Sequence, residues 1–288
     1  MKIKKIALFL CLSIAYLFCF QSELIAAPRG KLKAASAIVM NAESGKILFA
    51  KNPDKPMQPA SLTKILSLYL VHEAIKEEKI KPSDRVKISL DAQLTGGSSM
   101  YIVDDTEVVL DDLIKGIAVM SANDASVAVA EHVGGSVEKF ITMMNKKAQE
   151  IGMKHSHFVN PNGLPANGQV STARDILSLS HSYIQKFPEA LHLHSLQEYT
   201  YDGITQQNNN SLLRKSAGVD GLKTGFVSAA GYHLVATAKR GNTRIIVVVM
   251  GEKNPKIRAQ ETAGLLEQGF RILERKEKRA ALRKKISP

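Results

Sequence analysis

The sequence predicts a mixed α/β protein in which the two ends of the chain share one sheet and a cluster of helices is inserted between them. Three observations carry this expectation. Two apolar strands near the start, residues 36–42 and 46–50, flank the tight-turn triplet Glu43-Ser44-Gly45. Two more, residues 234–238 and 244–250, are joined across Arg240-Gly241-Asn242. The second of these is apolar almost throughout, as a strand covered on both faces must be. Between the pairs the apolar spacing is helical, and a last helix closes the chain.

Taken in order, the chain begins with Lys2, Lys4 and Lys5, an apolar core from Ile6 to Phe20, and the small-residue exit Leu24-Ile25-Ala26-Ala27 before Pro28. That pattern is a secretory signal peptide over residues 1–27, and its apolar core is shorter than the ~20 residues that span a bilayer. Both cysteines, Cys11 and Cys19, lie inside it, so the mature chain has no disulfide, no thiolate nucleophile and no thiolate metal site. The expected destination is the periplasm or the outer face of the cytoplasmic membrane. Nothing from Ala34 to Gly251 reads as a linker or repeat, so residues 28–273 are expected to form one catalytic domain. Residues 274–288 form a basic tail with seven Lys/Arg against two Glu. The formal charge of +12 is concentrated in that tail and the leader, which leaves a mildly basic body with little support for nucleic-acid binding.

Pro53, Pro56 and Pro59 punctuate a loop that delivers the chain to a helix opening at Ser61 and running to about Lys79. Residues 82–91 read as loop with a short strand, and Gly96-Gly97-Ser98-Ser99-Met100 as a flexible, hydroxyl-rich loop. Asp111-Asp112 begin a helix that breaks at Ser121-Ala122-Asn123. An Ala/Val-rich buried helix then runs from Asp124 to Val133, another from Ser136 to Ile151, and a third follows the capping box Thr172-Ala173-Arg174-Asp175. Between the last two, Asn160-Pro161-Asn162-Gly163-Leu164-Pro165 is dense turn chemistry. The closing helix spans residues 258–272.

Three short stretches carry chemistry. Residues three apart on a helix are neighbours, so Ser61 and Lys64 face the same way at a helix start, where the macrodipole favours an oxyanion. A desolvated Lys64 would lose its proton readily and serve as base to a Ser61 nucleophile. Ser-x-x-Lys alone is weak: Ser136-Val137-Glu138-Lys139 repeats it as an ordinary helix start. Ser121-x-Asn123 reads alone as a helix cap, and Lys223-Thr224-Gly225 as an exposed strand end with a solvated lysine. Together and in this order, however, the three form the signature of penicillin-interacting serine enzymes.

With the flanking text Met120-Ser121-Ala122-Asn123-Asp124-Ala125-Ser126, Asn160-Pro161-Asn162-Gly163-Leu164 and Gly221-Leu222-Lys223-Thr224-Gly225-Phe226, the chain resembles the serine-type D-alanyl-D-alanine carboxypeptidases of the low-molecular-mass penicillin-binding proteins. The resemblance covers roughly residues 34–251. It implies an antiparallel sheet of about five strands covered by helices, with a cleft between sheet and helical cluster. It implies Ser61 as acylated nucleophile, Lys64 as general base, and Ser121 as a proton relay to the leaving amine, helped by Lys64. Asn123, Lys223, Thr224 and Gly225 would bind substrate, with Lys223 and Thr224 on its terminal carboxylate. The backbone N–H groups of Ser61 and Phe226 would form the oxyanion hole. Peptidoglycan stem peptides are the implied substrate and β-lactams the implied covalent inhibitors, with no cofactor and no metal.

Departures and rivals follow from the same residues. Val227 stands where relatives commonly carry a hydroxyl. Relatives also often add a β-rich C-terminal domain and an amphipathic anchor, so a short form lacking both is expected. A D,D-endopeptidase that cuts cross-links attacks the same D-Ala carbonyl and shares the motifs. A class A β-lactamase would need a Glu-x-x-x-Asn element, which Glu189 and Glu198 do not supply. His155-x-His157 and His192-x-His194 lack a completing carboxylate for zinc and read as surface or capping histidines. A non-catalytic peptidoglycan or β-lactam sensor is the rival of another class. The tail reads as a frayed, solvated helix end, or alternatively as a weak contact to anionic lipid or wall polymer.

Overall fold

The computed structural model describes residues 32–286 except residue 217, so the expected leader over residues 1–27 lies outside the described residues. Strands β1 (Ser36–Asn41) and β2 (Ile47–Lys51) form the expected first hairpin. A 3-10 turn, Ala60–Thr63, then opens into helix α1 (Lys64–Lys76). Next come β3 (Arg85–Lys87), the single turn α2 (Leu90–Gln93), β4 (Glu107–Val109) and α3 (Leu110–Lys115). Helix α3 loosens into a π turn, Gly116–Met120, before α4 (Asn123–Gly134) and α5 (Val137–Ile151). Ser136 and Thr172 cap α5 and α6 (Ala173–Lys186), each accepting a backbone N–H three residues on. The short α7 (Ala190–His194), the hairpin β5 (Glu198–Tyr201) and β6 (Ile204–Gln207), and α8 (Leu212–Lys215) follow. Then come β7 (Val219–Val227), β8 (Gly231–Arg240), β9 (Thr243–Glu252) and α9 (Pro255–Ile286).

The main sheet is antiparallel, in the order β2-β1-β9-β8-β7. It joins the two ends of the chain because the apolar β9 pairs with β1 over six residues, from Ser36–Met250 to Asn41–Ile245. Side-chain alternation then divides two cores. Ile38, Met40, Ile246, Val248 and Met250 face the helical cluster, while Ala37, Val39, Ile245, Val247 and Val249 pack under α9 against Leu265, Leu266 and Phe270.

Three elements differ from the sequence reading. Lys223-Thr224-Gly225 is not an exposed strand end with a solvated lysine; it lies inside an additional strand, β7, at the sheet edge, with Lys223 buried. The β5–β6 hairpin was not expected, although Asp202 and Gly203 both adopt positive φ (46° and 76°), the geometry that Asp-Gly turns favour. Helix α9 runs on to Ile286 instead of ending near residue 272, with exposed residues such as Arg275, Lys278 and Arg279 along its far end.

Candidate active site

The turn that carries Ser61 is held from both sides. Ala60 takes a positive φ of 50°, a strained conformation for a residue with a Cβ, and so sets the direction in which Ser61 leaves the loop. On one side Gly163 sits so close that a Cβ there would lie 1.9 Å from the Ala60 carbonyl oxygen. On the other, a Cβ on Gly225 would lie 3.2 Å from both the Ala60 Cβ and the Ser61 nitrogen. The close approach that Gly225 permits is therefore that of β7 to the turn carrying Ser61, so that Phe226 and Ser61 line one cleft.

Lys64 starts α1 and is completely buried. Its Nζ donates to Ser61 Oγ (3.1 Å), Asn123 Oδ1 (2.6 Å) and the Asn162 carbonyl (2.5 Å). The Asn-Pro-Asn-Gly turn thus has a defined task. Asn160 Oδ1 accepts from Gly163 N, Asn162 Oδ1 from Leu164 N, and the folded turn aims the Asn162 carbonyl at the lysine. Burial, and then the Lys223 ammonium, hold Lys64 well below the usual lysine range, with Asp124 acting in the opposite direction. Lys223, itself 3% exposed, donates to Ser121 Oγ at 2.8 Å. Burial, reinforced by the Arg258 guanidinium, lowers it to about 7.

Ser121 adopts the left-handed conformation (φ 63°) at the end of the π turn, which turns its hydroxyl away from the helix line toward Lys223. The Asn123 side chain is occupied within the protein: its Oδ1 takes Lys64 and its Nδ2 donates to the Gly96 carbonyl at 2.7 Å. Asn123 therefore orients the lysine, a use that the expected substrate contact did not include. Lys64 is bonded to Ser61, Asn123 and Asn162, whereas Ser121 is held by Lys223.

The loop at residues 96–100, expected to be flexible, is pinned. The buried Asp124 carboxylate accepts from Ser99 Oγ (2.6 Å), Met100 N (3.1 Å) and Tyr101 N (3.0 Å), and Asn123 N donates to the Ser98 carbonyl. A carboxylate in the first turn of α4 suits the helix dipole and fixes the loop as one wall of the cleft. That cleft, about 300 Å³, is lined by Ser61, Ser98, Ser121, Thr224, Phe226 and Arg258, among others. Phe226 is half exposed and stacks on Tyr232, with ring centroids 4.2 Å apart. Val227 is buried and offers no hydroxyl to the cleft.

Arg258 is the residue that sequence reasoning missed. It is 6% exposed, meets only the His233 and Asn209 carbonyls at 3.3 and 3.4 Å, and keeps a buried Nε without a partner. The signal was an arginine on the inward face of α9, in line with Thr262 and Leu265.

Two histidines support the site from behind. His194 is buried, contrary to the surface or capping reading; its ring nitrogens meet the Leu222 carbonyl (3.1 Å) and the Tyr183 hydroxyl (3.2 Å). His233 accepts from Gly251 N at Nδ1 and therefore donates from Nε2 to the Gln58 carbonyl, tying the loop before Ser61 to β9. Burial lowers His194 to about 3 and His233 to about 4. Folded-state values below the unfolded one mean that stability is complete above about pH 6.5 and is lost as pH falls toward 4. The rate is about 1.4 kcal/mol per pH unit for each group. The unfolding temperature is expected to drop by several degrees between pH 7 and 4.5, with a shallower slope in His233→Gln. A midpoint constant over that interval would refute the assignment.

A family model described as D-alanyl-D-alanine carboxypeptidase (Peptidase S11) matches residues 22–254. The chain belongs to that family of serine peptidases. D-alanyl-D-alanine carboxypeptidase DacC of Escherichia coli is 42% identical over 90% of this chain and 68% of its own length. The chain spans 62% to 68% of the length of the first curated relatives it matches. Among solved structures of penicillin-binding proteins, protein 5 from Haemophilus influenzae is 40% identical with a TM-score of 0.82, covering 85% of this chain and 73% of that one. Penicillin-binding protein D2 from Listeria monocytogenes, in its cefotaxime-bound form, is 34% identical with a TM-score of 0.78. The match covers 85% of this chain and 100% of that one.

Proposed function

We propose that this chain is an exported serine D,D-carboxypeptidase that removes the terminal D-Ala from peptidoglycan pentapeptide stems and is inhibited by β-lactams. The observation that carries this reading is the buried Lys64 amine, 3.1 Å from Ser61 Oγ and flanked by a second buried lysine.

In the free enzyme a neutral Lys64 takes the Ser61 proton as Oγ attacks the carbonyl carbon of the penultimate D-Ala. Charge moves onto the carbonyl oxygen and is met by the backbone N–H groups of Ser61 and Phe226, each such donor being worth roughly 3–4 kcal/mol in comparable sites. When the C–N bond breaks, the Lys64 proton passes to the leaving amine with the Ser121 hydroxyl as relay, and D-Ala departs. Water then attacks the ester, delivers its proton to Lys64, and Ser61 regains its own. A β-lactam presents the same carbonyl but keeps its leaving amine tethered, so the ester persists.

Thr224 and Arg258 line the end of the cleft where the substrate carboxylate belongs, and the buried Lys223 lies behind Ser121, to whose hydroxyl it donates. Arg258→Ala is expected to raise KM for pentapeptide at least about tenfold with a smaller effect on kcat, the scale of one lost charged hydrogen bond. An unchanged KM would remove Arg258 from the substrate site. The same variant should raise the Lys223 pKa, since a neighbouring positive charge is gone.

The decisive experiment is mass analysis of peptidoglycan sacculi incubated with the mature protein beside a Ser61→Ala control. Loss of one alanine from pentapeptide stems with wild type alone is expected; identical products from both would leave a binding protein without turnover. Residues 28–273 are taken as the catalytic domain, with residues 1–27 directing export. Contact of the basic residues 274–288 with anionic lipid or wall polymer is tested by deleting them and following the protein into the soluble fraction at low salt. No redistribution would reject that contact.

A further inference from the structure

We infer that Gln169, with Ser67, is a positioning residue for the general base: it clamps the 159–164 turn onto the start of α1 and so fixes where the Lys64 lone pair points. This inference rests on the reading of Lys64 as base given above and adds two side chains that the reading does not use. Gln169 is buried, with 3% of its surface exposed. Its Oε1 accepts from Val159 N at 2.7 Å, which leaves Nε2 to donate to Thr63 Oγ1 at 3.2 Å and Asn160 Oδ1 at 3.3 Å. One side chain is thus bonded both to the residue before Lys64 and to the turn. Asn160 closes that turn, its Oδ1 accepting from Gly163 N and its Nδ2 donating to the Leu164 carbonyl at 2.9 Å. From α1 the fully buried Ser67 Oγ donates to the Pro161 carbonyl at 2.7 Å. Gln169 is itself anchored, since the next two residues, Val170 and Ser171, pair with His157 and Met57.

The clamp converges on one atom, the Asn162 carbonyl oxygen. A neutral amine has two N–H bonds and one lone pair. The Asn162 carbonyl and Asn123 Oδ1 can only accept, and Lys64 Nζ donates to both. With both N–H bonds so used, the lone pair of neutral Lys64 is left for the Ser61 hydroxyl, 3.1 Å away. Were the Asn162 carbonyl to turn aside, the amine would rotate about its Cε–Nζ bond and aim an N–H at Ser61 instead. Neither Gln169 nor Ser67 lines the cleft, so both act through Lys64 and leave substrate affinity alone.

The test is stopped-flow acylation by a fluorescent penicillin, followed across pH, for wild type, Gln169→Met, Ser67→Ala and Asn145→Ala. Asn145, on α5, holds the Phe158 backbone just upstream of the turn, accepting from its N–H at 2.9 Å and donating to its carbonyl at 2.7 Å. It is the control for stability alone. Gln169→Met is expected to lower the limiting acylation rate about ten- to a hundredfold, while the half-saturating penicillin concentration stays within about twofold. Its acid limb should move to lower pH, because losing an acceptor disfavours the ammonium form while Lys223 and Asp124, the charged groups acting on Lys64, are unchanged. A site that was merely loosened would admit water and move that limb up toward the usual lysine range, which overturns the inference. Ser67→Ala should show the same pattern at about threefold or more, the scale of one lost hydrogen bond. Asn145→Ala should lower the unfolding temperature with acylation within about twofold of wild type. Wild-type acylation in Gln169→Met (or in Ser67→Ala, where Gln169→Met does not fold), or an equal loss in Asn145→Ala, overturns the inference and leaves the carboxypeptidase reading standing. A wild type that penicillin does not acylate removes that reading, and the inference with it.

Discussion

Replacing Lys64 with methionine is expected to leave a folded protein whose kcat/KM for pentapeptide, and whose rate of acylation by penicillin, fall by about 10⁴-fold. A positioned general base supplies roughly 10²–10⁴ in rate, and here the same amine also returns the proton to the leaving group, so both halves of the step are lost. Methionine keeps much of the volume in a fully buried position. The Asn123 Oδ1 and Asn162 carbonyl acceptors lose their donor, at about 1–3 kcal/mol each, but the desolvation of a buried amine disappears as well. Stopped-flow acylation with a fluorescent penicillin and intact-mass detection of the adduct would measure the effect. Acylation within tenfold of wild type would rule out Lys64 as the base.

The wild-type pH profile of kcat/KM is expected to be bell-shaped. Lys64 acts unprotonated and is held well below the usual lysine range, so kcat/KM should rise as pH climbs through its depressed value. Lys223, lowered to about 7, carries the charge that attracts the substrate carboxylate, so kcat/KM should fall again as pH rises past that value.

Gly163→Ala is expected to be the most damaging small substitution outside the catalytic groups. The added methyl would meet the Ala60 carbonyl oxygen at 1.9 Å, its carbon at 2.4 Å and the Ser61 nitrogen at 3.0 Å. All three are backbone atoms, so no side chain can swing aside. The φ of +84° adds strain for any residue with a Cβ. A loss of about 3 kcal/mol or more in stability is expected, together with loss of penicillin acylation, because the nucleophile turn must shift. Gly45→Ala is the control: it too has positive φ, but open space around it, and should cost only about 1 kcal/mol without affecting acylation. Equal effects at the two glycines would show that crowding against Ala60 is not what Gly163 relieves.

Much of the fold was legible because it is written at short range. The apolar runs of β1 and β9 and the caps at Ser136 and Thr172 are local signals that tertiary structure left in place. The edge strand β7 was not legible, because Gly221, Lys223 and Gly225 have poor strand propensity and only the pairing with β8 holds them extended. The β5–β6 hairpin is a different case, since the Asp202-Gly203 turn signal stood in plain view between alternating residues.

By itself the sequence picked out groups that the structure brings together: Ser61 with Lys64 three residues on, Ser121 with Asn123, and Lys223-Thr224-Gly225. Each set is short enough for chain spacing to settle. Only the tertiary structure decided how those sets are wired: Lys64 to Asn123 and Asn162, Ser121 to Lys223, and Arg258 into the cleft from the far end of the chain. It decided too that both lysines are buried, with no carboxylate bonded to either among the described residues, which holds both below the usual lysine range. Such wiring depends on which strands and helices face one another across the cleft, and on water being excluded between them. Neither property is carried by any one stretch of the chain.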